Sequence, residues 1–365
     1  MRNIKYYFAE SGRGLDDCQI EALKIADVQD GFLKGMLSEL KNPQTDIWLG
    51  IRNGYFNLYV EGASIGKITI DDGKIKIHKK YLGESFSGYK TLLISDSHYN
   101  FKKVCDNIKM FHTNSSQRNL EKKFQQRLVI SNNFADSPWY CVDMEYAMEA
   151  GSFRFDIIAI SRKPMVEGEH RLLIIEVKVG RSSFGVDNKL FPTKPLTNSI
   201  ERHNLGSGVL GHFTDFVNYK SDKDYDCGDG FKGRFTRLRG EMVNILKNYQ
   251  SLGLLPKDIG TLVETMSIDD ICDEPKMVFL IYSGDVTRKQ IEDSFRLYVG
   301  GEACEGISRN ESKYTIVKAW DEAIVKQVFR DSIKCVFREG KDINVIKDRQ
   351  PIFEDEEISE VVQIF

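Results

Sequence analysis

The sequence predicts a mixed α/β (α+β) protein, with a mixed central sheet flanked by helices and a further α+β region ahead of it. Three observations carry that expectation. The run Leu172 to Val179 has the length and β-branched content of a strand covered on both faces. Phe235, Leu238, Met242, Ile245, Tyr249 and Leu252 recur at spacings of three and four, the period of a helix with one buried stripe. Asn53-Gly54 and Asp72-Gly73 each separate two short segments, as hairpin turns requiring positive φ do.

Taken in order, residues 1 to about 45 read as helical, with Leu33, Met36, Leu37 and Leu40 forming one apolar stripe. Strands are expected at Ile47–Arg52, Tyr55–Val60, Lys67–Ile70 and Lys74–His78. Ile75 and Ile77 alternate with Lys74, Lys76 and His78, so the last of these has one wet face. Residues 1–110 thus form an N-terminal α+β region whose role the residues do not disclose. Ser115 caps a helix expected to reach Leu128, with Leu120, Phe124 and Leu128 buried. Strands Tyr140–Met148, Phe153–Ser161 and Arg171–Val179 follow. After a long polar loop, a helix at about 205–220 buries Val209, Phe213, Phe216 and Val217. The periodic helix comes next and ends at Gly253 and Pro256. Met277–Tyr282 reads as an interior strand and Tyr314–Ala319 as another. Residues 291–365 form a C-terminal extension that closes on the acidic run Glu354-Asp355-Glu356-Glu357.

Composition narrows the function classes. No apolar run approaches the roughly 20 residues that span a bilayer, and the first residues lack a secretory stretch. A cytoplasmic protein without membrane contact is the expectation. The seven cysteines include no CxxC pair, and the six histidines form no HxxxH or HExxH cluster, which argues against a zinc site or a disulfide framework. The net charge of −3 argues against binding nucleic acid by bulk charge, so such a partner would need a local basic surface.

Chemistry concentrates in two strands. Along Arg171–Val179, Leu172, Ile174, Glu176 and Lys178 point one way, and Leu173, Ile175, Val177 and Val179 the other. Charges on so apolar a strand are costly unless they are paired or bind a metal. The preceding strand repeats the pattern, with Asp156 alone in Phe-Asp-Ile-Ile-Ala-Ile. If the strands are neighbours, Asp156 lies beside Glu176, and two carboxylates so placed repel unless a proton or cation sits between them. Hard oxygen ligands with room for water suit Mg²⁺ or Mn²⁺. Lys178 would then stand where it can orient a nucleophilic water and stabilise charge on a phosphate. If Ala150-Gly151 is a two-residue turn, Met148 faces Phe153 and Glu145 falls opposite Asp156, joining the acids as ligand or tuning group. A slip of one residue would send it to the other face. The plainer reading of Asp156, Glu176 and Lys178 is a structural salt-bridge set, which contributes little net stability.

Asp156, a gap of twenty residues, then Glu176-Val177-Lys178 on an apolar strand resembles the PD-(D/E)xK, or restriction-endonuclease-like, nuclease superfamily. Phe155 stands where the motif has proline. The resemblance implies a core of order αβββαβ, here within residues 111–290, and Mg²⁺- or Mn²⁺-dependent hydrolysis of phosphodiesters, in DNA first of all. It assigns catalysis to Asp156, Glu176 and Lys178, and metal binding to Asp156 and Glu176. It adds Glu121, an acid on the first helix, whose plainer role is to complement the helix dipole. Arg181 and Lys189, in the loop after the motif lysine, are candidates for phosphate contact. Lys232, Arg234, Arg237 and Arg239 either contact phosphates or form a solvated face. His212 reads as a partly buried histidine. A binding module on the same fold, with weak or no activity, is the alternative. Strandedness, endonuclease or exonuclease action and oligomeric state, a homodimer included, stay open.

Overall fold

Asp16 starts the first helix, α1 (Asp17–Val28), by a reciprocal cap: its side chain accepts from Gln19 N–H while the Gln19 side chain accepts from Asp16 N–H. A second, short helix follows, α2 (Met36–Lys41). The computed structural model describes residues 12–84, 87–113, 120–148, 153–165, 167–179, 212, 216, 233–282, 333–338 and 351–353. Within the described residues, the expected continuous helix up to residue 45 is corrected to two pieces. The first stops at Val28, where Gln29 turns extended, and Gly35, at φ +75°, a backbone state that glycine adopts at little cost, opens the second. Leu33 lies between the two pieces yet is buried with Met36 and Leu37, so the apolar stripe is real although the helix is not continuous.

An antiparallel meander comes next, in spatial order β1 (Ile47–Ile51), β2 (Phe56–Val60), β3 (Ala63–Thr69), β4 (Lys74–His78) and β5 (Tyr89–Leu93). Gly54, at φ +65°, sits in the expected two-residue turn, whereas Gly73, at φ +59°, sits in a turn of four residues, because the ladder closes at Thr69 and Lys74. Strand β5 and helix α3 (Phe101–Thr113) escaped the sequence reading, although Phe101, Val104, Cys105 and Ile108 make a helical stripe that is buried here.

Helix α4 (Leu120–Asn133) leads into the second sheet, whose first strands are β6 (Trp139–Met148), β7 (Phe153–Ser161) and β8 (Leu172–Val179), paired antiparallel. The capping Ser115 lies outside the described residues, as does most of the expected 205–220 helix; His212 and Phe216 are described, and both are helical and buried. Helix α5 (Arg234–Ser251) carries the periodic stripe, ends at Gly253 with φ +67°, and is followed by α6 (Lys257–Thr265). Strand β9 (Lys276–Tyr282) runs parallel to β8, and β10 (Ile333–Arg338) parallel to β9. The sheet order is β10-β9-β8-β7-β6, so β8 is interior and every one of its residues is buried. The expected strand Tyr314–Ala319 and the acidic run 354–357 lie outside the described residues.

The two sheets share one apolar core, running from Leu15 to Phe353. Polar contacts also tie them. Asp143 on β6, with no exposure, pairs with Arg13 and, at 2.8 Å, with Arg52 from the turn after β1. Glu241 on α5 accepts from Tyr146 Oη at 2.7 Å, from Arg237 Nε at 3.0 Å and from the Arg13 amide at 3.3 Å. Five charges are thereby paired inside the protein, as burial demands. Among the described residues no helix is long and apolar enough to cross a membrane.

Candidate active site

Strand β8 brings Glu176 and Lys178 to one face, and both are enclosed, at 0% and 2% side-chain exposure. The β7–β8 ladder pairs Ile158 with Ile174 and Ile157 with Ile175, which sets Asp156 opposite Glu176. There the backbone ladder gives way to side chains. The Asp156 amide donates to Glu176 Oε1 at 3.2 Å, and the Val177 amide donates to Asp156 Oδ2 at 2.8 Å. Lys178 Nζ lies 3.4 Å from Glu176 Oε2 and 4.0 Å from Asp156 Oδ2. The three residues are thus one cluster, and it reaches solvent at Asp156, whose side chain is 14% exposed.

Glu121 stands in the first turn of α4, which packs on β8. Its carboxyl is pushed up to about 7 by burial, an effect that Lys178 opposes and Asp156 and Glu145 reinforce. Burial likewise raises Asp156, against the pull of Lys178 and the Val177 amide. Glu176 lies well above the ordinary carboxylate range, first through burial and then through Asp156. Burial alone would lower Lys178; Asp156, Glu176 and Glu121 outweigh it and hold the ammonium charged. The acids outnumber the lysine, and the surplus negative charge calls for a proton or a cation.

Glu145 occupies the expected register. Tyr146 pairs with Phe155, Met144 with Ile157 and Met148 with Phe153, which brackets Glu145 against Asp156. The turn at 149–152 lies outside the described residues. At Glu145, however, the backbone is left-handed, φ +57°, and the carboxylate pairs with Lys122 Nζ at 2.9 Å. It acts on the cluster through its charge, while its own oxygen is committed to a lysine.

His212 Nδ1 lies 3.3 Å from Glu176 Oε2. Nothing in its helical spacing pointed to that strand, because the contact crosses chain-distant elements. Arg181, Lys189 and Lys232 lie outside the described residues. Arg237 pairs with Glu241, and Arg239 donates to the Ile271 carbonyl at 2.6 Å, so these two arginines serve the fold. A cavity of about 670 Å³ lies elsewhere, lined by Trp48, Tyr140, Arg162 and Tyr249 among others and by none of the cluster residues.

Among the described residues no group of three or more His, Cys, Asp or Glu side chains gathers closely enough to hold a metal ion. The donor chemistry nonetheless fits Mg²⁺, which typically takes one or two protein carboxylates and fills its shell with water and phosphate oxygens. Comparisons with protein-family models, with curated proteins and with solved structures find no match, so the cluster is read on its own geometry.

Proposed function

We propose that this protein is a metal-dependent nuclease of the PD-(D/E)xK type that hydrolyses phosphodiester bonds in DNA. The observation that carries the reading is the meeting of Asp156, Glu176 and Lys178, drawn from two strands that are otherwise apolar. Three charges so placed contribute little to stability and suit a reaction better. Asp156 and Glu176 would hold Mg²⁺ or Mn²⁺, with Glu121 assisting through its charge and Glu145 tuning Asp156. When bound, the ion supplies Lewis acidity and an acidified water. Lys178 would orient the attacking water and face the charge developing on the phosphate. The element order α4, β6, β7, β8, α5, α6, β9 contains the order expected for the core of that superfamily, with α6 as an additional helix. The test is a cleavage assay on circular and linear DNA with Mg²⁺ or Mn²⁺. Wild type should cut, and Lys178→Ala should not; equal activity in both would end the reading.

One observation favours a second reading, a non-catalytic binding module. The Lys178 ammonium already lies between the two carboxylates, where an ion would compete with it. Titration with Mn²⁺ separates the two: binding that is lost on Asp156→Ala supports the nuclease, and no response at all supports the module.

A further inference from the structure

The outer face of the N-terminal meander carries lysines in an arrangement that costs stability. Lys67 on β3 and Lys76 on β4 are direct cross-strand partners. Like charges so placed repel. Lys74 lies two residues from Lys76 on the same face, paired with Thr69 on one side and Leu93 on the other. All three lysines are exposed, and among the described residues none pairs with an acid. The row through Lys67 and Lys76 continues to Asn57 and Thr91, and the row through His78 ends at Tyr89; no residue in these rows is acidic. The nearest acids in sequence, Asp71 and Asp72, stand at the β3–β4 turn, and Asp71 accepts from Gln19.

Aromatic rings lie among the cations. Lys67 Nζ sits 4.2 Å from the Tyr55 ring centroid and Lys76 Nζ 5.3 Å from that of Tyr89. Tyr89 is 61% exposed and Leu93 54%, both on β5 at the sheet edge. Lysines at cross-strand and alternate positions beside open rings match what an unpaired nucleic-acid strand offers: phosphates at regular intervals, and bases that stack. An acidic polypeptide would satisfy the lysines but offer no base to the Tyr89 ring, which meets His78 edge-on at 5.0 Å and stays 61% exposed.

We infer that this sheet face binds single-stranded nucleic acid, with Lys67, Lys74 and Lys76 on the phosphates and Tyr89 stacked on a base. The surface would hold substrate for the proposed nuclease, and it rests on that reading only for its use.

The test measures binding of a labelled single-stranded DNA oligonucleotide by fluorescence anisotropy in EDTA, over a range of salt concentrations. The same measurement is made on a duplex of equal length and on polyglutamate. The triple variant Lys67→Gln, Lys74→Gln, Lys76→Gln should bind at least 10-fold more weakly. Its plot of log affinity against log salt should be shallower by about 2, as expected when three phosphate contacts are lost from a single strand. Tyr89→Ala should weaken single-strand binding about 5-fold or more while touching duplex binding less. Unchanged affinity and salt slope in the triple variant would overturn the inference, as would polyglutamate binding as tight as the oligonucleotide. A duplex preference indifferent to Tyr89 would overturn it too. Because binding is read without metal, weak binding in the triple variant with no cleavage by wild type sinks only the nuclease reading. Cleavage by wild type with binding unmoved by the lysines sinks only this one.

Discussion

The backbone amide of Asp156 donates to the Glu176 carboxylate at 3.2 Å across twenty residues of chain. The return contact, from the Val177 amide to Asp156, closes the pair, so each acid is held by the other's strand. The two carboxylates are fixed by backbone, and the side chains of Lys178 and His212 reach them from outside that pair.

Lys178→Ala is expected to lower DNA cleavage about 100- to 1,000-fold, the range for losing one donor aimed at developing charge. In EDTA it also leaves two buried acids without their cation, a loss of about 3–5 kcal/mol in chemical denaturation. Added Mg²⁺ or Mn²⁺ should restore much of that stability. A deficit that no divalent ion moves would mark the lysine as structural and the metal site as absent.

Part of the pH dependence of the metal-free protein follows from Glu121, whose folded carboxyl is pushed up to about 7 from an ordinary 4.5; Asp156 and Glu176, also raised, act in the same direction. A raised acid favours the fold while protonated, so stability is fullest below pH 4.5 and declines as pH climbs to about 7. The groups setting this are burial, Lys178, Asp156, Glu145 and Lys122. Urea midpoints in EDTA should therefore fall between pH 5 and pH 7, and Glu121→Gln should flatten the fall. A midpoint that rises over that interval, or a Gln variant with the wild-type slope, would show that Glu121 is not held in this way.

Asp143→Asn removes the carboxylate that Arg13 and Arg52 share inside the protein. Stranding two buried guanidinium groups should cost about 3–5 kcal/mol. Arg13 also donates to the carbonyls of Glu145 and Ala147, at 3.5 and 3.3 Å, so its release should loosen β6 beside the acids. Limited proteolysis should find cleavage in both the meander and the second sheet. A variant as stable as wild type would show that the network is dispensable.

Gly62, in the β2–β3 turn, holds φ +73°, and a Cβ there would lie 2.6 Å from the Lys123 nitrogen and 2.8 Å from the Lys122 carbonyl carbon. Both are backbone atoms in the first turn of α4, next to Glu121. Gly62→Ala should cost at least about 2 kcal/mol, from left-handed strain and the clash together. Cleavage measured well below the melting temperature should fall as well, because the helix carrying Glu121 must shift. Full activity in a folded variant would detach Glu121 from the reaction.

Local pattern made much of this legible. Alternation along 171–179 set Glu176 and Lys178 on one face, and the same logic isolated Asp156, because a strand's side chains report its own two surfaces. The α5 stripe and both hairpin turns were equally plain, since glycine at positive φ and a 3.6 period are properties of short segments. The break after Val28 was not, because neither Val28 nor Gln29 is a helix breaker and only the surrounding packing turns the chain there. Glu145 shows the boundary well: counting gave its register, but not its left-handed backbone or its pairing with Lys122.

Spacing along the chain marks which strands are central, which carry charge, and that β4 keeps a row of lysines wet. That Lys67 faces Lys76, that His212 reaches Glu176, and that Arg13 and Arg52 close on Asp143 emerges from the packing of separate elements. Those contacts join residues up to 130 positions apart. No local periodicity records them, because register and packing are set between separate elements, and the buried charges among these residues must also find a counterpart.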